Sequence, residues 1–311
     1  MRRILVTAIS GNVSNGILKA LQETGDVLYG CDVYDYPVGM DKVACYWKSL
    51  FAVEPNYINH LLGKCEEYQI THLIPVNEAE IKVINENRTI FAERGIKVLI
   101  NDDFVVDTFL DKYETNKYLA NIEGISVPET FYAMDFNRRG KKFIVKLNAS
   151  CGSKFLRIID NKEELDGLNL EKNEYIVQEY IDSEEEYTVG VFSDGNNIST
   201  IIFKRKLENG YTSFVELMQD DSIKNDVEAI AKSINLKGYV NIQLRKLNNK
   251  NYIFEINPRI SGTVYFRHLL GFKDVIWWLD VLDGKNIPSY VCEYKEAIGM
   301  RELSEKYVVL K

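Results

Sequence analysis

Two apolar, alternating runs set around a polar turn are the most constraining feature of this chain. Tyr239-Val-Asn-Ile-Gln243-Leu-Arg and Asn251-Tyr-Ile-Phe-Glu255-Ile-Asn257-Pro-Arg259 flank the polar stretch Lys246–Asn251, which predicts a β-hairpin. In a strand, residues two apart share a face. Glu255 and Asn257 therefore point one way, with Arg259 just past Pro258, and Gln243 on the partner strand reaches the same face. One carboxylate with amide oxygens suits a hard cation such as Mg²⁺, which completes its shell with phosphate and water. An adjacent arginine suits a phosphoryl group. The hairpin is thus a candidate site for a nucleoside triphosphate and its metal.

At 311 residues the chain exceeds one core, and two or three domains are expected. A net charge of −8 argues against nucleic acid as an obligate partner. No apolar run reaches membrane-spanning length. Met1-Arg-Arg-Ile-Leu-Val passes into Ser10-Gly-Asn-Val-Ser-Asn, which reads as a first strand and not a signal peptide. Cys31, Cys45, Cys65, Cys151 and Cys292 are widely spaced with no Cys-x-x-Cys pair, fitting a reduced, cytoplasmic setting. His60, His72 and His268 are too scattered for a zinc centre.

In the N-terminal third, Arg3–Thr7, Gly25–Cys31, Ile70–Pro75 and Ile96–Ile100 read as strands. Helices are expected from Ile17 and over Glu78–Arg94, with Gly11–Gly16 as a loop. Alternating strands and helices imply a parallel sheet covered on both faces. Two nucleotide motifs fail here. Gly11 and Gly16 have P-loop spacing, but Ile17-Leu18 replaces the required Lys-Ser/Thr. The dinucleotide fingerprint lacks a glycine, so Asp32 is read as a strand-end residue.

Further on, Phe104–Asn121 is helical in pattern and carries Asp111-Lys112. Lys141–Leu147 is a strand with Lys146 near its end, and a lysine in an apolar strand must reach water or an anion. Asn148-Ala-Ser-Cys-Gly152-Ser153-Lys-Phe155 follows, a small-residue turn able to form an anion-binding nest, with a plain hairpin turn as the alternative. Glu174–Ile181 is a strand ending Gln178-Glu-Tyr180-Ile181, and Glu186 opens the next strand. Asp220–Ser233 and the segment around Trp277-Trp278 read as helices, the tryptophans as core. Ile298–Arg301 is a late strand. Read singly, Lys112 is a solvated helix lysine and Glu184–Glu186 a solvated charge run.

Taken in order, these motifs resemble the ATP-grasp superfamily, most closely its carbamoyl-phosphate-synthetase-like branch, in which the hairpin reads Gln … Glu-x-Asn-Pro-Arg. The resemblance implies an N-terminal parallel α/β domain over 1–105, an ATP-grasp central (lid) subdomain over 106–181 and a C-terminal subdomain over 182–311. It gives ATP phosphate to Lys112 and Lys146 and the phosphate-covering loop to Gly152 and Ser153. Gln178, Tyr180 and Ile181 then meet adenine and Glu186 the ribose. Mg²⁺, with Mn²⁺ as the alternative, falls to Gln243, Glu255 and Asn257, and the transferring group to Arg259. Phe155 departs from the pattern, standing where a glycine is common. The implied activity is activation of a substrate carboxylate as an acyl phosphate and its joining to an amine, with release of ADP and phosphate. Alternatives of the same fold are a small-molecule kinase, a carbamoyl-phosphate-forming enzyme and a non-catalytic nucleotide-binding module. A homodimer is compatible with the family. Arg205, Arg267, Arg301 and Glu78 are left open between acceptor contacts and structural roles.

Overall fold

The computed structural model describes residues 1–149 and 155–302, so the expectations for Gly152 and Ser153 lie outside the described residues. The N-terminal unit runs β1 (Arg3–Val6), α1 (Asn12–Leu21), β2 (Val27–Asp32), β3 (Cys45–Lys48), α2 (Tyr57–Glu67), β4 (His72–Ile74), α3 (Glu78–Glu86), α4 (Arg88–Glu93) and β5 (Lys97–Val98). Its five strands are all parallel, in the order β3-β2-β1-β4-β5. The order reverses between β1 and β4, and the carboxyl ends of such neighbours open a crevice.

Three details differ from the sequence reading. Helix α1 begins at Asn12, so the expected loop Gly11–Gly16 is mostly helix. Gly16 is there for packing, since a Cβ would lie 2.5 Å from Val264 Cγ1. The expected helix Glu78–Arg94 is interrupted at Asn87. Strand β3 and helix α2 went unread.

The chain continues through α5 (Asp103–Phe109) and α6 (Lys112–Leu119). One helix was expected here, but Asp111 leaves helical geometry and caps α6, accepting from Glu114 N at 2.8 Å. Then come β6 (Thr130–Tyr132), β7 (Phe143–Leu147), β8 (Leu156–Ile159), α7 (Lys162–Gly167) and β9 (Tyr175–Glu179). These strands form an antiparallel sheet in the order β6-β9-β7-β8, with its own core around Phe136, Phe143 and Val177.

The remainder comprises β10 (Glu186–Asp194), β11 (Ile198–Glu208), β12 (Tyr211–Met218), α8 (Asp221–Ser233), β13 (Lys237–Leu247), β14 (Lys250–Asn257), α9 (Val264–Leu269), α10 (Asp274–Leu282) and β15 (Ile298–Met300). A six-stranded antiparallel sheet results, ordered β14-β13-β10-β11-β12-β15. One face buries Val189, Val191 and Ile242 against α8, α5 and α6. The other packs Phe192, Phe203 and Tyr239 against α1 and α10, with Trp277 and Trp278 in the core as expected. The expected mixed architecture is present, a parallel α/β unit followed by two antiparallel sheets. The β13–β14 turn is tighter than the polar stretch implied. It is the pair Asn248-Asn249, with φ of 51° and 59°, the mirror-image turn whose twist matches the strands.

Candidate active site

A cleft of about 770 Å³ lies among the three units. Lys112, Lys146, Gln178, Tyr180, Ile181, Glu186, Gln243, Glu255, Asn257 and Arg259 all line it. The hairpin is the reason several of them meet. Gln243 pairs directly with Glu255 and Asn241 with Asn257. Beside Gln243 the register slips, so that Leu244 faces Ile253 and Phe254 is the extra residue. Such a bulge re-aims side chains where it occurs, and here it frees the Phe254 carbonyl to accept from Lys146 Nζ at 3.4 Å.

Lys146 is buried, and its Nζ also donates to Gln178 Oε1 at 2.9 Å. Burial pushes its pKa down to about 8, an effect that Glu255 opposes and Lys112 adds to. Gln178 is occupied at both amide ends, since Nε2 donates to Thr130 Oγ1 at 2.9 Å. Its side chain therefore sets Lys146 in place; beside it the Glu179 and Tyr180 N–H groups donate to the Glu129 and Lys142 carbonyls at 2.7 and 2.9 Å, and the Ile181 carbonyl accepts from Ser183 N at 2.9 Å. Lys112 stands at the first turn of α6 and donates to the Asn148 carbonyl at 3.3 Å. Asn148 is pinned in turn, donating to Asp111 Oδ2 at 2.7 Å and accepting from Tyr113 N at 3.0 Å. The start of the small-residue loop is thus tied to α6, a reason for the order Asp-Lys, then loop, seen in the sequence.

Glu186 is held by two arginines. Arg205 donates to Oε1 from Nε (3.0 Å) and Nη2 (2.8 Å), and Arg245 donates to Oε2 from Nε (3.0 Å) and Nη2 (2.9 Å). Burial alone would raise the Glu186 pKa, but the guanidiniums more than offset it and the net shift is downward. Arg205 Nη2 also donates to Gln243 Oε1 at 2.7 Å. Arg245 lies 5.0 Å from the Tyr180 ring centroid and donates to the Ile181 carbonyl at 2.9 Å. Arg245 was missed in the sequence. The available signal was its position two residues past Gln243, on the same strand face.

For a divalent cation, Glu255 and Asn257 supply a carboxylate and an amide oxygen on one face. Gln243 is a poorer donor, because its oxygen already accepts from a cation. Among the described residues no group of three His, Cys, Asp or Glu could hold a metal. The donor set therefore fits Mg²⁺ carried in with phosphate and water, not a closed structural site.

Arg259 donates from Nε (3.1 Å) and Nη2 (2.8 Å) to Glu78 Oε1, which comes from the first turn of α3. Arg267 is fully buried and structural. It donates to Asp274 Oδ2 at 3.1 and 2.6 Å, to Ser261 at 2.8 Å and to Thr263 at 2.6 Å, fixing the loop after Arg259. The N-terminal unit adds Ala8, Asn12 and Asn77 to the lining. Ala8 has φ of 50°, a costly conformation for a non-glycine and one that clusters at functional sites. Asp32 accepts from Ser10 N at 2.7 Å and Tyr34 N at 3.2 Å, a strand-end role.

With the three-unit cleft and its oxygen-donor hairpin in place, the class of protein is defined: the chain belongs to the ATP-grasp proteins. Residues 109–263 match the ATP-grasp domain and residues 49–99 the PylC-like N-terminal domain. Its relatives include tyramine–L-glutamate ligase of Methanocaldococcus jannaschii, 30% identical over 50% of this chain and 44% of that protein. They also include the carbamoyl phosphate synthase large chain of Sulfolobus acidocaldarius, 24% identical over 59% of this chain and 20% of that protein. The chain spans less than half the length of these curated relatives. Among solved structures, N5-carboxyaminoimidazole synthetase of Staphylococcus aureus complexed with ADP superposes with a TM-score of 0.78 at 17% identity, covering 97% of this chain and 82% of that one. L-amino acid ligase of Bacillus licheniformis gives 0.72 at 13% identity, covering 91% and 74%. At these identities the structural likeness is one of fold. Among the described residues no helix is long and apolar enough to cross a membrane.

Proposed function

We propose that the protein is an ATP- and Mg²⁺-dependent ligase that activates a small-molecule carboxylate as an acyl phosphate and joins it to an amine, releasing ADP and phosphate. The observation that carries this reading is the convergence of Lys146, Glu255, Asn257 and Arg259, from two separate stretches of sequence, on one cleft. ADP in the Staphylococcus aureus neighbour and the carboxylate–amine chemistry named for the M. jannaschii relative support it.

In this reading Tyr180, Ile181 and the adjoining main chain line adenine, an apolar slot with backbone donors and acceptors. Glu186 accepts from the ribose hydroxyls in place of one or two of the arginine N–H donors that fill its acceptor sites in the ligand-free protein. Lys112 and Lys146 bind phosphate oxygens, and Gly152 and Ser153 belong to the loop that covers them. Glu255 and Asn257 hold Mg²⁺, with Gln243 beside them, and the ion supplies charge neutralisation at the phosphates. An oxygen of the substrate carboxylate attacks the γ-phosphorus, the bond to the β-phosphate oxygen breaks, and ADP leaves. Arg259 turns from Glu78 toward the developing charge. The amine nitrogen then attacks the acyl carbon, the carbon–oxygen bond to phosphate breaks, and the nitrogen loses its proton. Catalysis is chiefly positioning and electrostatics. We divide the chain at about residues 105 and 181, and place it in the cytoplasm, where the free thiols Cys31 and Cys65 stay reduced.

The test is a screen of small carboxylates with hydroxylamine as the amine. ADP, phosphate and a hydroxamate should appear in step. AMP with pyrophosphate would overturn the mechanism, and ADP without hydroxamate would favour a kinase.

A further inference from the structure

Of the charged residues without a role in the sequence, Arg205, Arg267 and Glu78 are each consumed by an ion pair. Arg301 is different. It stands one residue past β15 and is half-buried, and among the described residues no carboxylate pairs with it. Its guanidinium joins three segments. Nε donates to the Thr212 carbonyl in β12 at 3.1 Å, Nη2 to the Gly262 carbonyl at 2.8 Å, and Nη1 to Asn12 Oδ1 in the first turn of α1. The Phe266 ring lies 5.3 Å from the guanidinium carbon. Asn12, Thr212 and Gly262 all line the cleft.

A guanidinium only donates. Asn12 must therefore turn its oxygen to Arg301, which settles where its nitrogen goes. Nδ2 lies over Gly262, 3.7 Å from where a Cβ would stand, and it donates to none of the described residues. The result is an amide donor of fixed orientation on the cleft wall, polarised by a partly desolvated cation behind it. Such a group selects an acceptor oxygen. An ammonium would meet only a donor and a like charge.

We propose that Arg301 is a positioning residue for the carboxylate substrate: it aims Asn12 Nδ2 at an oxygen of that carboxylate on the wall formed by α1, Gly262 and β12. This deepens the ligase reading and rests on it.

The test compares Asn12→Ala, Arg301→Lys, Arg301→Met and the Asn12→Ala/Arg301→Met double variant with wild type in the hydroxylamine assay. The probe is whichever small carboxylate best supports ADP release. Loss of one hydrogen bond to a charged group predicts a KM for the carboxylate raised about tenfold or more in Asn12→Ala and Arg301→Met. KM for ATP should stay within about twofold, because the nucleotide is bound by other residues. Arg301→Lys, which keeps one donor to Asn12, should recover part of the loss. The double variant should be no worse than the poorer single one, because the two residues act through one bond. An unchanged carboxylate KM, an equal rise in the KM for ATP, or additive losses would overturn the proposal. If Arg301→Met does not fold, Asn12→Ala decides alone. If no carboxylate supports ADP release, the ligase reading fails, and calorimetric titration with L-glutamate, acetate and bicarbonate decides the subsite. Binding weakened by Asn12→Ala would sustain it, and binding absent or unaltered would overturn it.

Discussion

Replacing Lys146 by methionine should weaken nucleotide binding sharply while leaving the ligand-free protein at least as stable as wild type. The lysine is buried, and its pKa is brought from an ordinary 10.5 to about 8, which corresponds to about 3 kcal/mol of cost for keeping it charged at pH 7. Methionine removes that cost and keeps the aliphatic stem, but it leaves Gln178 Oε1 without its donor, worth about 1–3 kcal/mol in the opposite sense. The net at pH 7 is about zero to 2 kcal/mol in favour of the variant. The pH dependence has a definite sign. Because the folded-state pKa is depressed, the unfolded chain binds the proton more tightly between about 8 and 10.5, and wild-type stability rises with pH across that window. The variant lacks this rise, so its advantage shrinks from pH 8 upward. Binding moves the other way. A charged hydrogen bond to phosphate is worth about 2–3 kcal/mol, so the affinity for an ATP analogue at pH 7 should fall about 30- to 150-fold. Urea unfolding at pH 7 and 9.5, with calorimetric titration of the analogue, reads both. A variant more than about 2 kcal/mol less stable than wild type at pH 7, or one with unchanged affinity, would refute the reasoning.

Other substitutions separate the remaining roles. Glu255→Gln should lower turnover by about a hundredfold or more through loss of charge at the phosphates, and well beyond the effect of Glu186→Gln; equal losses would contradict the assignment. Glu186→Gln should instead cost stability. The lowered pKa of Glu186 means that the contribution of its arginine pairs is present above the ordinary carboxylate range and is lost as the pH falls below 4.5, so the variant should lack that acid-side loss in urea titrations. Arg267→Met should destabilise by about 3–5 kcal/mol, because it leaves buried Asp274 without its partner, and this is measurable by denaturant unfolding.

The hairpin and the order of motifs were legible because they rest on local chemistry. Period-two alternation puts Glu255 and Asn257 on one face whatever the tertiary context, and Asn248-Asn249 only tightened a turn already marked by polarity. The partnerships were not legible. Lys146 meets Gln178 only because β7 and β9 are neighbours, and Arg259 meets Glu78 across 181 positions of sequence. Gly16 looked like half of a phosphate loop, but it answers to Val264 on α9, a contact no local pattern encodes. Strand β3 is four residues ending in a lysine, too short for alternation to register. Strand β12 follows the Asn209-Gly210 turn, where both residues have positive φ, and a register shift at Lys206/Leu207 blurs the pattern leading into it. Arg301 carried no signal of its own, since its three partners come from α1, β12 and the loop after β14.

The claim that a carboxylate is activated through an acyl phosphate is tested most directly by isotope transfer. With the supporting carboxylate labelled in both oxygens with ¹⁸O and hydroxylamine as the amine, the phosphate released should carry one ¹⁸O atom per turnover, read by the isotope shift of its ³¹P resonance. Unlabelled phosphate, or ¹⁸O found in AMP, would contradict the account.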